Sequence, residues 1–177
     1  PEPDYALKFG PNIKDWPEQP ALTEDLLVKI VSYITDPVTT TDELIPSGET
    51  SSFRSNPLRL AEFTLSRKDP AYVPNAKRVL GGAANFACEY ATKRYRSNCI
   101  NWGMLPFLMK DPAVLDNGDY VYLPGVRKAL LEADDELTAI AVKPDGGVVR
   151  FTVSLGAMTD AERQILADGC LINYYKN

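Results

Sequence analysis

The sequence has 177 residues, a formal net charge of −5 and no histidine. The acidic balance argues against general nucleic-acid binding, which depends on clustered Lys and Arg, and the absence of histidine excludes Ser-His-Asp triads, Cys-His pairs and histidine-containing zinc sites. A composition that is 45% hydrophobic and 24% charged, with no apolar run of membrane-spanning length and no signal peptide, predicts a globular cytoplasmic domain.

The first feature along the chain is a proline-rich arm. Five prolines fall within the first 20 residues, and the chain begins with Pro1 rather than Met. Residues 1–22 are therefore expected to form an extended arm or interdomain linker within a longer protein, and residues 23–177 the domain that follows it.

Strands and helices are predicted to alternate after the arm. Apolar, β-branched runs predict strands, whereas a proline at a first helical position or a threonine cap predicts a helix. Strands are expected at 26–34, 104–109, 119–123, 137–142 and 148–155. Helices are expected at 57–68, 89–101, 124–134 and 159–169. The short strand 104–109 is expected to be interrupted by Pro106. The turn at 143–147 joins the last two strands as a hairpin, and 69–77 is expected to consist of turns. The fold class is predicted to be α/β, with a mixed sheet and a late antiparallel hairpin.

One polar stretch, TTTDELIPSGETSSFRSNP at residues 39–57, has the period of neither a helix nor a strand and is predicted to be a loop. It carries Thr40-Thr41-Asp42, then Gly48, then Arg54. Further on, Leu80-Gly81-Gly82 precedes EYATKRYRSNCINWGMLPF. In order and rough spacing, the two segments resemble two motifs in the C-terminal swivel domain of the aconitase superfamily, and the nearest relatives suggested are large bacterial aconitase-like hydratases. Glu43 stands where the family motif has histidine.

The resemblance implies a swivelling β/β/α domain of an iron–sulfur hydro-lyase that acts on a hydroxy polycarboxylic acid. In that family a 4Fe-4S cluster, bound by three cysteines of other domains, acts as a Lewis acid on the substrate hydroxyl. The implied partners are therefore the cluster-bearing domains or subunit of the same enzyme, together with a small carboxylic-acid substrate. Cys88, Cys99 and Cys170 lack ligand spacing and are predicted to be reduced, mostly buried thiols, so no metal site is expected in this chain.

Carried over residue by residue, the resemblance places a substrate-carboxylate arginine at Arg54 and a loop aspartate, the candidate catalytic residue, at Asp42. A guanidinium fork suits bidentate carboxylate recognition. Ser51 and Ser52 are candidate substrate-binding hydroxyls, which could also satisfy loop amides. The alternatives stay open: Arg54 as an ordinary surface arginine, and Asp42 as the start of an Asx-type turn onto the backbone of Leu44.

In the second matching segment, which follows Leu80-Gly81-Gly82, the residues are expected to have structural roles. Lys93, Arg94 and Arg96 could form a second anionic site, but a solvated helix face is the preferred interpretation. Gly103 is expected to shape the turn into the next strand, and Trp102 to pack as an amphipathic residue.

One family motif is missing. The family motif Gly-Ser-Ser-Arg-Glu carries the serine base and a second arginine. It is expected about a dozen residues before Leu80. That region contains only the pair Ser66-Arg67, with no glycine before it and no glutamate after it. Three explanations stay open for the motif-bearing segment expected between about 66 and 80: it is disordered, it has been removed, or the protein has lost it. The isolated chain is therefore expected to be inactive. Two alternatives remain: the small subunit of an isopropylmalate-isomerase-type enzyme, and a non-catalytic carboxylate-binding or regulatory module.

Overall fold

A six-stranded sheet forms the centre of the structure, a computed structural model that describes residues 6, 8–36 and 38–176. The strands are β1 Leu26–Lys29, β2 Ala84–Ala87, β3 Leu105–Met109, β4 Tyr120–Leu123, β5 Glu136–Val142 and β6 Val148–Ser154. Their order across the sheet is β1-β4-β5-β6-β3-β2. The β2–β3 pair is parallel and the other neighbouring pairs are antiparallel. The predicted α/β class, the mixed sheet and the β5–β6 hairpin are confirmed.

Eight helices accompany the sheet within the described residues. They are α1 Thr41–Leu44, α2 Ser47–Thr50, α3 Pro57–Ala61, α4 Tyr72–Arg78, α5 Lys93–Asn101, α6 Val126–Glu132, α7 Asp160–Ala167 and α8 Leu171–Lys176. The cap predicted for α7 is present: the Thr159 hydroxyl accepts from the Glu162 amide, and the Glu162 carboxylate accepts from the Thr159 amide. None of the described helices has the length and apolar character needed to cross a membrane.

The core lies between one face of the sheet and the helices α5, α6 and α7. Along β5 the side chains alternate, so that Leu137, Ala139 and Ala141 are buried while Thr138 is exposed. The buried residues of β5 form a single cluster with apolar residues of these helices, such as Leu130. This period of two is what a strand with one covered face requires.

Two arginines join α6 and α7 reciprocally. Arg127, near the start of α6, donates to the Ala167 carbonyl at the end of α7, at 2.6 Å. Arg163 of α7 donates to the Leu130 carbonyl in the last turn of α6, at 3.1 Å. Each cation thus lies at the negative end of the neighbouring helix, where unpaired carbonyls and the helix dipole favour positive charge.

The arm contacts the domain from Lys14 onward. The rings of Trp16 and Trp102 lie 4.2 Å apart, which confirms the packing role expected for Trp102. The Leu22 amide donates to the Ala167 carbonyl at 3.1 Å. Gly103 has a φ of 77°, and a methyl group there would collide with the Gly169 carbonyl oxygen, so this turn requires glycine.

Several local expectations were wrong. The stretch 69–77, expected to consist of turns, contains most of α4, and the helix expected over 57–68 ends at Ala61. The strand β2 was not predicted, because its sequence ANFA lacks β-branched residues. Pro106 does not interrupt β3. The β6 ladder reaches only Leu108 and Met109, so the missing proline N–H falls outside that pairing.

Candidate functional site

The stretch 39–57 is built from short helical turns rather than irregular loop. Thr40 caps α1, because its amide donates to the Glu43 carboxylate at 2.7 Å and its hydroxyl accepts from the Glu43 amide at 3.2 Å. Helix α2 follows Pro46, whose carbonyl accepts from the buried Thr50 hydroxyl at 2.8 Å. A 3₁₀ turn at Ser51–Phe53 then leads to α3. The prediction of a loop without helical structure was wrong here, since these turns are too short to show a helical period.

Asp42 holds α2 in place. Its Oδ1 atom accepts from the Ser47 amide at 2.9 Å and from the Ser47 hydroxyl at 2.7 Å. The hydroxyl and then the amide lower the pKa of this exposed carboxyl, because both hydrogen bonds favour its charged form. The expected turn onto Leu44 is not formed, and the Leu44 amide donates instead to the Thr40 carbonyl. Asp42 does accept a hydrogen bond from a backbone amide, but the amide belongs to Ser47, five residues further along the chain, rather than to Leu44, two residues further along.

A short basic segment, Arg67 with Lys68, fastens this stretch to the domain. The Arg67 guanidinium donates to Glu49 at 2.7 and 3.1 Å and lies 3.6 Å from Asp42. The Lys68 ammonium lies 2.6 Å from Asp36 and 3.0 Å from Glu43. These two cations therefore bridge four carboxylates of residues 36–49.

Sequence reasoning missed these anchoring roles. Ser66-Arg67 was considered only as a poor match to a family motif. The available signal was two adjacent cations in a chain whose stretch 36–49 carries four acidic side chains. Because the partners lie 18 to 32 residues apart in sequence, no local pattern joins them.

Arg54 lies outside this ion-pair network. It is exposed and follows the 3₁₀ turn, and no acidic side chain of the described residues lies within ion-pair distance of it. Ser51 and Ser52 are also exposed. Hydrogen bonds and ion pairs among the described residues do not link these three to Asp42. The arm comes close at this point, because the Lys14 amide donates to the Ser55 carbonyl at 2.9 Å.

The basic residues of α5 do not form a second cluster with Arg54. Lys93 and Arg94 are exposed, in line with a solvated helix face. Arg96 turns to the core edge and donates to the Leu155 carbonyl at 2.7 Å.

The three cysteines are free thiols. Cys99 and Cys170 are buried and Cys88 is exposed. Burial raises the pKa of the Cys99 thiol to about 11. Within residues 8–36 and 38–176, no group of three His, Cys, Asp or Glu side chains is arranged to hold a metal ion.

Comparison with models of known protein families gives no match to this chain, and comparison with curated proteins also gives none.

Proposed function

We propose that this chain is the C-terminal swivel domain of a cytoplasmic iron–sulfur hydro-lyase, an aconitase-like hydratase of a hydroxy polycarboxylic acid, and that Arg54 binds a substrate carboxylate. The observation that carries the proposal is the contrast between Arg54 and the basic pair Arg67 and Lys68. Arg67 and Lys68 are each held by two carboxylates, whereas Arg54 is exposed and has no acidic partner among the described residues. An unpaired guanidinium is available for a bidentate carboxylate.

The other residues of the stretch support Arg54. Ser51 and Ser52 begin the 3₁₀ turn that directly precedes Arg54, so their hydroxyls are close enough in the chain to contribute hydrogen bonds to the same ligand. Asp42 acts as a positioning residue in this proposal, because its Oδ1 atom is committed to Ser47. The stretch would then close over a substrate held by the cluster-bearing domains as this domain moves.

The 4Fe-4S cluster is assigned to other domains of the enzyme. Cys88 is exposed while Cys99 and Cys170 are buried, and they do not form a ligand set of three. When bound by its own domain, the cluster would supply a Lewis acid for the substrate hydroxyl. This chain would contribute carboxylate binding and closure, whereas the family's serine base belongs to the Gly-Ser-Ser-Arg-Glu motif that this sequence lacks.

A non-catalytic carboxylate-binding module is the second candidate. The observation that favours it is the state of Arg67, the only arginine that follows a serine in the region where the family's second catalytic arginine is expected. Its guanidinium is occupied by Glu49 and Asp42, so it is not offered to a ligand. A module of this kind would keep the Arg54 site without the chemistry.

Calorimetric titration of the chain with citrate, a hydroxy tricarboxylate, tests carboxylate binding. We expect weak, saturable binding, with a Kd of about 1 mM or above because one guanidinium supplies most of the charge. Arg54→Gln should weaken it by about fivefold or more. Arg59→Gln is the matched control, since Arg59 lies on the next helix over the Phe53 and Phe63 rings. Equal weakening in both variants would contradict the proposal.

A further inference from the structure

A cleft of about 410 Å³ opens between the segment that follows α3 and the first turns of α4. Its polar lining consists of Glu62, Thr64, Ser66 and Lys77, and Val73 with two prolines forms an apolar wall. Sites for small molecules typically have about 300–1,000 Å³ and combine an apolar wall with a few polar groups. Arg54 and the stretch 39–57 contribute no residue to it, so the cleft is separate from the site proposed above.

The Ser66 hydroxyl is an unusual group on this cleft. Its oxygen is buried and has no hydrogen-bond partner among the described residues. Buried polar atoms in native proteins are nearly always paired, so an exception calls for an explanation. A hydroxyl can donate and accept, and rotation of the Ser66 side chain about χ1 toward the cleft would bring its buried oxygen to a polar group of a ligand there.

Two opposite charges lie at the rim of the same cleft. The Lys77 ammonium is 2.5 Å from the Glu62 carboxylate, and the two side chains are 62% and 38% exposed. An exposed pair of this kind is held weakly, because water and salt screen it. Both side chains are long, so they can separate to admit a ligand that provides each of them with a new partner. Side-by-side opposite charges above an apolar wall are complementary to a zwitterion with an aliphatic substituent.

We infer that this cleft binds a small aliphatic α-amino acid in its zwitterionic form. The ligand ammonium donates to Glu62, and the ligand carboxylate accepts from Lys77 and from the Ser66 hydroxyl. The aliphatic side chain lies against Val73 and the prolines. A carboxylate without the ammonium group would bring its charge close to Glu62, and an amine alone would do the same to Lys77, so either should bind more weakly.

The ligand class is tested by following the backbone amides of the ¹⁵N-labelled chain during titration. L-valine is the probe, and 3-methylbutanoate and 2-methylpropylamine carry the same kind of side chain with one charge each. We expect saturable shifts at Ser66, Val73 and Lys77 with L-valine, and affinity about tenfold lower for each single-charge compound. Absence of saturable shifts with L-valine, or equal affinity for 3-methylbutanoate, would overturn the inference.

Charge-swapped variants test the orientation of the ligand. Glu62→Gln and Lys77→Met should each weaken L-valine binding by about fivefold or more. The double swap Glu62→Lys with Lys77→Glu should not restore it, because the reversed ligand would lose its pairing with Ser66; full restoration would contradict the stated orientation. Ser66→Ala should weaken binding as well. Lys128→Met with Glu132→Gln removes an exposed ion pair on α6 and is the control, expected to leave affinity unchanged. Unchanged affinity in folded Lys77→Met, confirmed by its thermal melt, would contradict the inference independently of the swap.

Discussion

Asp42 binds Ser47 twice, through the serine amide at 2.9 Å and the serine hydroxyl at 2.7 Å, and both bonds end on the same carboxylate oxygen. The two bonds close a six-residue turn, Asp42 to Ser47, that contains Pro46, and they fix where α2 begins. Because the position of α2 determines where the 3₁₀ turn and Arg54 follow, this pair connects the aspartate of the first sequence motif to its arginine.

This arrangement predicts a pH dependence that is local to α2. The pKa of Asp42 is lowered in the folded protein, so the contribution of its hydrogen bonds is fully present above the ordinary aspartate pKa of about 3.9 and is lost as the pH falls through the lowered folded value. The chemical shift of the Ser47 amide proton should therefore titrate with a midpoint below about 3.9. Asp42→Asn should abolish that titration, and a midpoint at or above the ordinary value would contradict the assignment.

The close approach of Gly103 to Gly169 makes a second prediction. Gly103→Ala adds a Cβ that collides with the Gly169 carbonyl and forces an L-residue to a φ of 77°. Strain at positive φ and overpacking together should cost roughly 2–4 kcal/mol of the free energy of unfolding, measured by urea denaturation. Gly48→Ala is the control, because nothing lies within 4 Å of its added Cβ and α2 should gain up to about 1 kcal/mol. Equal stability of the two variants would show that the turn is not as tight as described.

The reciprocal arginines of α6 and α7 make a third prediction. Arg163 is buried, with 7% of its surface exposed, and its guanidinium donates to the Leu130 carbonyl. Arg163→Met keeps much of the packing volume but removes this charged donor, and should lower the free energy of unfolding by about 1.5–3 kcal/mol. Arg150→Met, at an exposed position on β6, should change stability by less than about 0.5 kcal/mol. An Arg163→Met variant as stable as the wild type would mean that the donor contributes little.

The thiols should differ sharply in reactivity. Cys88 is exposed, whereas Cys99 is buried and burial raises its pKa to about 11, so that about one Cys99 in a thousand is a thiolate at pH 8. Ellman's reagent should therefore modify one thiol quickly in the folded chain and the remaining two only with unfolding. Cys88→Ser should remove the fast phase. Fast modification of two or three thiols in the native state would contradict the burial of Cys99 and Cys170.

The sequence predicted those elements whose signals are local. Thr159, Glu162 and Gly169 frame α7 within eleven residues, and the turn at 143–147 lies between two alternating runs. The same Thr-x-x-Glu capping pattern occurs at Thr40 and Glu43, but no helical period follows it, because α1 ends at Leu44, shortly before Pro46. The two helices have the same cap chemistry, but only α7 is long enough for its sequence to show a helical period, so α7 could be predicted and α1 could not.

The candidate site could be predicted only in part. Asp42 and Arg54 were selected from a sequence motif, and the structure places both on the exposed surface of one stretch. The partners that hold this stretch, Arg67 and Lys68, depend on tertiary ion pairs with residues far away in sequence. Charge composition shows that such pairs are possible, but it does not identify which residues meet.

Side-chain NMR of the arginines tests the central claim most directly. Each exposed guanidinium gives an Nε–H resonance, and citrate added to the ¹⁵N-labelled chain should shift that of Arg54 first and to saturation. Arg67 should shift little, because its Nε already donates to Glu49 at 3.1 Å, and Arg59 should follow only the change in ionic strength. Uniform, unsaturated shifts across the exposed arginines would mean that Arg54 is an ordinary surface residue, and the proposed carboxylate site would have to be abandoned.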